Sequence, residues 1–522
     1  MENFDYDLQS VQEARNLARL GKIATDKLAD YTEEQIDKIL QNMVRVAEEN
    51  AVMLAKMAVE ETGFGKVEDK TYKNHMASTI VYNYIKDMKC SGIIHEDPVN
   101  KMMEVADPVG LIMGIVPSTN PTSTAIYKSM IAIKARNAIV FSPHPSALQC
   151  TLKAATLMRD AAVAAGAPEN VIGCLSMPSM GATDELMKCK ETSMIIATGG
   201  PGMVKAAYSA GKPALGVGAG NSPSYIERTA DVAQSVKEIL ASKTFDNGTV
   251  CASEQSVICE ECNRDQVIAE FKKQGGYFMT AEETAKVCNL LFKNGGHSMS
   301  AKFVGRSAQV IATAAGISIP DGTRVLIGEQ QGVGDGYPLS YEKLTTVLAF
   351  YTVRDWHEAC ELSIKLLQNG IGHTMNIHTN DPQIVREFSR KPASRILVNT
   401  GGTQGGTGAS TALAPAFTLG CGTWGGSATS ENVTPMNLVN IKKVVYGLKD
   451  VTTLAQSDPT FRPDFGCCRG SNAAGAQPSP MQFSGSCNCT TGNQGLPAQD
   501  GIDGKQLLEL VNELVNAMKG GN

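Results

Sequence analysis

From residue 105 onward, short apolar runs alternate with longer stretches of helical spacing, and no other feature limits the possible folds as tightly. Val109–Val116, Ala138–Phe141 and Met194–Ala197 predict buried strands; Ser123–Ala135 and Ala147–Ala165 predict the helices between them. Strands of a parallel sheet are covered on both faces, so they read as continuous apolar runs. The expected class is α/β, with a largely parallel sheet and helices on both faces. A second α/β unit is expected over about 230–432, with the apolar runs Val347–Tyr351 and Ile396–Val398. Ahead of both, residues 8–60 predict successive helices. Leu28, Ile36, Ile39, Leu40, Val44 and Ala47 recur at helical spacing, and Thr32 with Glu33-Glu34 suits a helix start. A chain of 522 residues exceeds one core, so two or more domains are expected.

Composition narrows the function classes. The formal charge is -6 with no dense Lys/Arg run, which argues against a nucleic-acid or anionic-membrane partner. No apolar run approaches the ~18 residues of a membrane span. The acidic start, Met1-Glu2-Asn3-Phe4-Asp5, lacks the charge and apolar core of a signal peptide. Fourteen cysteines without disulfide-scaffold spacing fit a reducing cytosol. The expectation is a soluble cytoplasmic protein.

One cysteine stands out. Cys251 follows Asn247-Gly248-Thr249-Val250 and precedes Ala252-Ser253-Glu254-Gln255, which places it at a turn where a thiol can meet a ligand. Local donors or a helix N-terminus can favour the nucleophilic thiolate. An isolated cysteine is more often a small buried hydrophobe. The motifs around it change that balance: Glu60-Glu61-Thr62-Gly63-Phe64-Gly65-Lys66, Ile115-Val116-Pro117-Ser118-Thr119-Asn120-Pro121, Phe141-Ser142-Pro143-His144-Pro145 and Gly216-Val217-Gly218-Ala219-Gly220-Asn221-Ser222-Pro223. Together and in this order they resemble the coenzyme A-acylating branch of the aldehyde dehydrogenase superfamily, from about Val11 to Lys449.

The resemblance implies an architecture: N-terminal helices and a Rossmann-type NAD-binding domain over 1–229, and an α/β catalytic domain with the nucleophilic cysteine over 230–432. It adds a β-flap for oligomerisation from about 97–108 and 434–447. It also implies roles. Cys251 would be the nucleophile, and Asn120 would hold the negative oxygen of the aldehyde adduct together with the backbone N–H of Cys251. Thr198-Gly199-Gly200-Pro201-Gly202 follows an apolar strand, where glycine allows close backbone approach and a helix N-terminus favours pyrophosphate. It matches the family's cofactor loop in position. Ser142, Pro143 and His144 stand where hydrolytic members carry a ribose-binding lysine, which leaves NAD versus NADP open. Gly218 belongs to the same cofactor side, and Glu342 resembles the glutamate that holds the nicotinamide ribose. Thr423 and Trp424 are placed at the aldehyde pocket, with Trp424 equally suited to a core position; His373 resembles a position near the pocket, with no firm role.

Hydrolytic members use a glutamate base where this chain has Val217. Without it a thioester on Cys251 should persist until coenzyme A arrives. The resulting expectation is reversible, ping-pong oxidation of acetaldehyde or propionaldehyde to its acyl-CoA by a homo-oligomer, dimer or tetramer. Two alternatives stay open: a hydrolytic enzyme giving free acid, and an assembly protein recruited by its C-terminal helix.

That helix is a separate feature. Residues 456–500 are rich in Gly, Ser, Asn, Gln, Pro and Cys and read as a flexible linker. Within 501–522, Leu507, Leu508, Leu510, Val511, Leu514, Val515 and Met518 fall in an arc of about 160°. A tethered amphipathic peptide of this kind resembles the encapsulation peptides of bacterial microcompartment enzymes, so shell or core proteins are the expected partners and the compartment the expected location. No metal is expected: Cys467-Cys468 and Cys487-x-Cys489 do not match usual ligand spacings.

Overall fold

The computed structural model describes residues 5–292 and 297–462. By contacts the chain divides into a unit over Met1–Leu448 and a second over Lys449–Asn522. In the second, the described part holds one turn, Val451–Thr453, and a short helix, Leu454–Ser457. Most of the 456–500 segment and all of 501–522 lie outside the described residues.

Two long helices open the first unit, Tyr6–Leu28 and Glu33–Thr62. The second starts on a capping box: Thr32 accepts from the Gln35 N–H while the Gln35 side chain accepts from the Thr32 N–H. It ends at Gly63 in the left-handed region (φ 69°).

The alternation after residue 105 produces a five-stranded parallel sheet in the spatial order Ile172–Cys174, Ile139–Pro143, Leu111–Val116, Thr192–Thr198, Ala214–Val217. Leu111–Val116 is central and buried throughout, which is why it is apolar at every position. The chain winds outward from it on one side, then returns to add Thr192–Thr198 on the other. The crevice at the carboxyl ends of these two neighbours is a topological switch point, the usual ligand site of an open α/β sheet. The helix Pro121–Lys134 is buried along its whole length, with Lys128 Nζ donating to the carbonyls of Ile115 (2.7 Å) and Ile196 (3.0 Å).

A seven-stranded parallel sheet forms the rest: Gly276–Phe278, Val325–Glu329, Val347–Val353, Glu254–Glu260, Ser222–Ile226, Gly372–His378 and Ala393–Val398, in that spatial order. The strand Ser222–Ile226 pairs with Glu254–Glu260 and Gly372–His378, so the second sheet begins before residue 230. The reason is that Gly218–Asn221 is the crossing between sheets, although nothing in its composition marks a linker. A third sheet is antiparallel: Gly92–Asp97, Met102–Pro108 and Val439–Val445. It takes in one strand more than the expected flap segments.

Candidate active site

The Cys251 segment is built on an unusual turn. After the helix Val232–Thr244, Asp246 (φ 48°), Asn247 (φ 52°) and Gly248 (φ 79°) all lie in the left-handed region. Asp and Asn tolerate this conformation better than most residues, and tertiary bonds hold it here. Asp246 accepts from the Lys66 N–H (2.8 Å), Lys70 Nζ (2.9 Å), Lys73 Nζ (2.5 Å) and the Thr249 hydroxyl (2.6 Å). Asn247 donates to the Gly305 carbonyl at 3.0 Å. The chain leaves this turn through Thr249 and Val250 to Cys251, then enters the strand Glu254–Glu260 at its amino end. Gly220 packs against Cys251 so tightly that a Cβ there would sit 1.9 Å from the Cys251 carbonyl oxygen.

His373 Nε2 lies 3.1 Å from Cys251 Sγ. His373 lies at the amino end of Gly372–His378, which is separated from Glu254–Glu260 by the strand Ser222–Ile226, and is fully buried, with Nδ1 2.8 Å from the Thr374 hydroxyl. Arg395 supports the pair: it donates to the His373 carbonyl (3.1 Å), Thr374 Oγ1 (3.2 Å), the Gly420 carbonyl (2.6 Å) and Asn432 Oδ1 (3.1 Å). Burial pushes the Cys251 thiol up to about 12, aided by the charge of Glu342 and by Cys421, while Arg395 pulls the other way. Burial, then Arg395, holds the His373 imidazole well below its ordinary value. The resting pair is therefore thiol and neutral imidazole, and the tautomer with its hydrogen on Nδ1, donating to the Thr374 hydroxyl oxygen, leaves Nε2 able to take the thiol proton.

Asn120 faces the same cavity as Cys251, a space of about 270 Å³. It occupies the N-cap position of Pro121–Lys134, where asparagine usually caps its own helix, yet makes no capping bond. Its amide instead donates to the Thr249 carbonyl (3.0 Å), and its Oδ1 accepts from Lys73 Nζ (2.6 Å). Glu342 lines the cavity too, and accepts from the Gly220 N–H at 2.8 Å. Burial raises its carboxyl to about 7, against the pull of that N–H, Lys243 and Lys343.

From Cys251 the cavity runs past Thr198, Gly199, Gly200 and Gly218 and meets a second of about 150 Å³ lined by Ser142, Pro143 and His144. A Cβ at Gly200 or Gly218 would have open space around it, so these glycines form a smooth wall that a bound group can approach. Pro201 opens the helix Pro201–Ser209 at this wall. Gly202, one residue in, lines neither space. The crevice lies at the switch point of the five-stranded sheet. Val217 lines the cavity beside Cys251 with an aliphatic side chain.

Residues 5–280 match the profile described as the aldehyde dehydrogenase family. The chain belongs to the aldehyde dehydrogenase family. It is 48% identical over 442 residues to the bifunctional aldehyde-alcohol dehydrogenase of Escherichia coli K12, covering 83% of this chain and 49% of that protein. The chain thus spans about half the length of this relative. An acetylating aldehyde dehydrogenase from Geobacillus thermoglucosidasius superposes with a TM-score of 0.84 at 53% identity, covering 85% of this chain and 99% of that one. A propionaldehyde dehydrogenase from the fucose utilisation bacterial microcompartment of Clostridium phytofermentans gives a TM-score of 0.76 at 25% identity, covering 83% and 97%.

The structure moves two expected pocket residues elsewhere. Thr423 and Trp424 sit in an exposed turn, Thr423–Gly425, and neither lines the cavity; Trp424 is 54% exposed. Gly422, at φ 61°, turns the segment outward, and the indole folds back over that glycine. Phe417 and Leu419 form the apolar wall instead. Sequence reasoning also missed Lys70, Lys73, Asp246 and Arg395. The sequence carries no signal for the first pair: Lys70 and Lys73 are three apart on one polar helix, and only the fold buries both. Among the described residues no His, Cys, Asp or Glu group is arranged to hold a metal.

Proposed function

We propose that this chain catalyses reversible, NAD-dependent oxidation of a short aliphatic aldehyde to its acyl-CoA, through a thioester on Cys251. The observation that carries the reading is the 3.1 Å contact of Cys251 Sγ with the buried neutral His373, in front of Asn120. His373 Nε2 takes the thiol proton as sulfur adds to the aldehyde carbon. The adduct oxygen becomes negative, and the Asn120 amide with the Cys251 backbone N–H stabilises it. A nicotinamide cofactor would supply the hydride acceptor, and loss of hydride from the former aldehyde carbon would leave a thioester on Cys251.

Glu342 would hold the nicotinamide ribose, the Thr198–Gly200 turn and the start of Pro201–Ser209 the pyrophosphate, and Ser142, Pro143 and His144 the adenosine end. NAD is the preferred form in this reading. Val217 offers no base to activate water, so the thioester waits for the coenzyme A thiol, whose attack releases acyl-CoA and returns Cys251. The small apolar wall of Phe417 and Leu419 suits acetaldehyde or propionaldehyde. The name of the similar Geobacillus protein, an acetylating enzyme, supports the acylating branch, and that of the Clostridium protein supports a short aldehyde.

The antiparallel sheet would serve oligomerisation, since Ile441, Val444 and Val445 on its edge strand are exposed. Residues 501–522 would bind microcompartment shell or core proteins through the apolar arc of the peptide. Deleting them should abolish shell association and leave the activity in solution. The central test follows NADH and thioester from propionaldehyde and NAD, with and without coenzyme A. Sustained turnover requiring coenzyme A is expected; equal turnover without it, yielding propionate, would overturn the acylating reading.

A further inference from the structure

Lys73 is a buried cation whose three ammonium hydrogens all find acceptors. Nζ lies 2.6 Å from Asn120 Oδ1, 2.5 Å from Asp246 Oδ2 and 3.1 Å from Thr249 Oγ1. The Thr249 proton is committed to Asp246 at 2.6 Å, so its oxygen is free to accept from Lys73. The side chain also lies over the Phe245 ring, 5.4 Å from its centre. Lys73 is 2% exposed and Asp246 fully buried, and Lys70 completes the cluster through Asp246 and the Thr119 carbonyl (2.8 Å).

This cluster settles which way the Asn120 amide points. Lys73 can only donate, so it must face Oδ1; the Thr249 carbonyl can only accept, so it must face Nδ2. With one amide hydrogen on that carbonyl, the second is directed to the Thr119 hydroxyl at 3.3 Å or into the cavity shared with Cys251. A cation on an amide oxygen also draws electron density from its nitrogen, which makes the N–H groups stronger donors.

We infer that Lys73 is a positioning residue for the proposed reaction, orienting and polarising the Asn120 amide so that it stabilises the oxyanion formed at Cys251. Lys73 touches neither substrate nor sulfur and acts through Asn120. The same ammonium ties Asn120 to Asp246, and so sets the distance between the oxyanion donor and the turn that carries the nucleophile. The inference rests on the proposed aldehyde chemistry at Cys251.

The test uses the full chain and two reactions of the same sulfur. Thioester formation from propionaldehyde passes through an oxyanion; alkylation by iodoacetamide displaces iodide and forms none. Lys73→Met should lower kcat for thioester formation by about tenfold to a hundredfold, short of the ~10²–10³ typical of losing a donor outright. Its iodoacetamide rate should stay within about twofold of wild type. In an Asn120→Ala background the same substitution should cost less than about threefold, because the group it acts through is gone. Lys73→Gln retains an N–H for Asn120 Oδ1 without the charge; it should show the same pattern with a smaller loss, and replaces Lys73→Met if that variant does not fold.

A parallel fall in alkylation would overturn the inference, because Lys73 would then act on the turn of Cys251. An undiminished loss in the Asn120→Ala background, or no loss in the single variants, would overturn it as well. A wild-type protein that forms no thioester from the aldehyde overturns the proposed function and this inference together; the other failures leave the proposed function standing.

Discussion

The two parallel sheets meet the active-site cavity with opposite ends. The five-stranded sheet presents its carboxyl ends, where Val116 leads into Asn120 and Thr198 into Gly199 and Gly200. The seven-stranded sheet presents its amino ends: Cys251 precedes Glu254–Glu260, His373 opens Gly372–His378, and Glu342 precedes Val347–Val353. The first sheet offers turns and the start of a helix, which suit binding an extended anionic group. The second offers side chains with perturbed protonation, which suit chemistry. Binding surfaces can be made locally, by one strand and the turn that follows it. The side chains proposed to react come from separate strands and need buried support, which Arg395 gives His373.

If the division is right, damage to Cys251 or His373 on the seven-stranded side should remove chemistry while leaving cofactor binding. Cys251→Ala should form no thioester and still bind NAD, measured by titration calorimetry; loss of both would break the division. His373→Ala should lower acylation by about 10²–10³-fold at pH 7, the usual scale for a missing general base. Its pH profile carries the sign. With the thiol at about 12, the thiolate fraction grows tenfold per pH unit below that value. The variant's iodoacetamide rate should therefore climb steeply from pH 7 to 10. Wild type should climb less, because His373 stays neutral across this range and supplies the base. Identical profiles would remove His373 from the chemistry.

What could be read in the chain beforehand follows the same division. Leu111–Val116 and Thr192–Thr198 announced themselves as apolar runs, and the turn after each carries its own residues, Asn120 and Thr198–Gly200. The N-terminal helices were legible through Thr32 and the spacing of Ile36, Ile39 and Leu40. His373 was placed near the pocket without a role, because a contact between residues 122 apart is set by strand pairing, which a single sequence does not print. Lys73 and Arg395 were not legible at all: a lysine on a polar helix reads as solvated, and only tertiary packing buries it. Trp424 misled in the other direction, since a large aromatic beside Gly-Gly reads as a pocket wall until the turn is seen to face outward.

Glu342 sits where the two sides meet and sharpens the comparison further. Glu342→Gln should raise the NAD concentration for half-saturation by about tenfold, the scale of one charge-assisted hydrogen bond. It should also speed Cys251 alkylation at pH 8, because the negative charge that holds the thiol up is gone. With its carboxyl near 7, Glu342 is charged above that pH and neutral below it. Lowering wild type from pH 8 to 6 should therefore reproduce the Gln phenotype in part: weaker NAD binding and less repulsion at the sulfur. A pH-independent NAD affinity over that interval would take Glu342 off the cofactor.

The smallest effect is expected at Trp424, and it separates the cavity wall from the turn next to it. Trp424 is half exposed and rests on Gly422, whereas Phe417 and Leu419 close the apolar side of the space before Cys251. Trp424→Ala should change kcat/KM for propionaldehyde by less than about twofold and stability by about 0.5 kcal/mol, as for surface positions generally. Leu419→Ala should instead alter the ranking of acetaldehyde, propionaldehyde and butyraldehyde, because one methylene in an apolar pocket is worth about 1–3 kcal/mol of discrimination. Measured side by side across the three aldehydes, the two variants assign the wall. A flat response at Leu419 with a changed ranking at Trp424 would mean that the turn Thr423–Gly425 swings inward over the bound aldehyde, and that the acyl pocket is completed by the segment whose resting place is solvent.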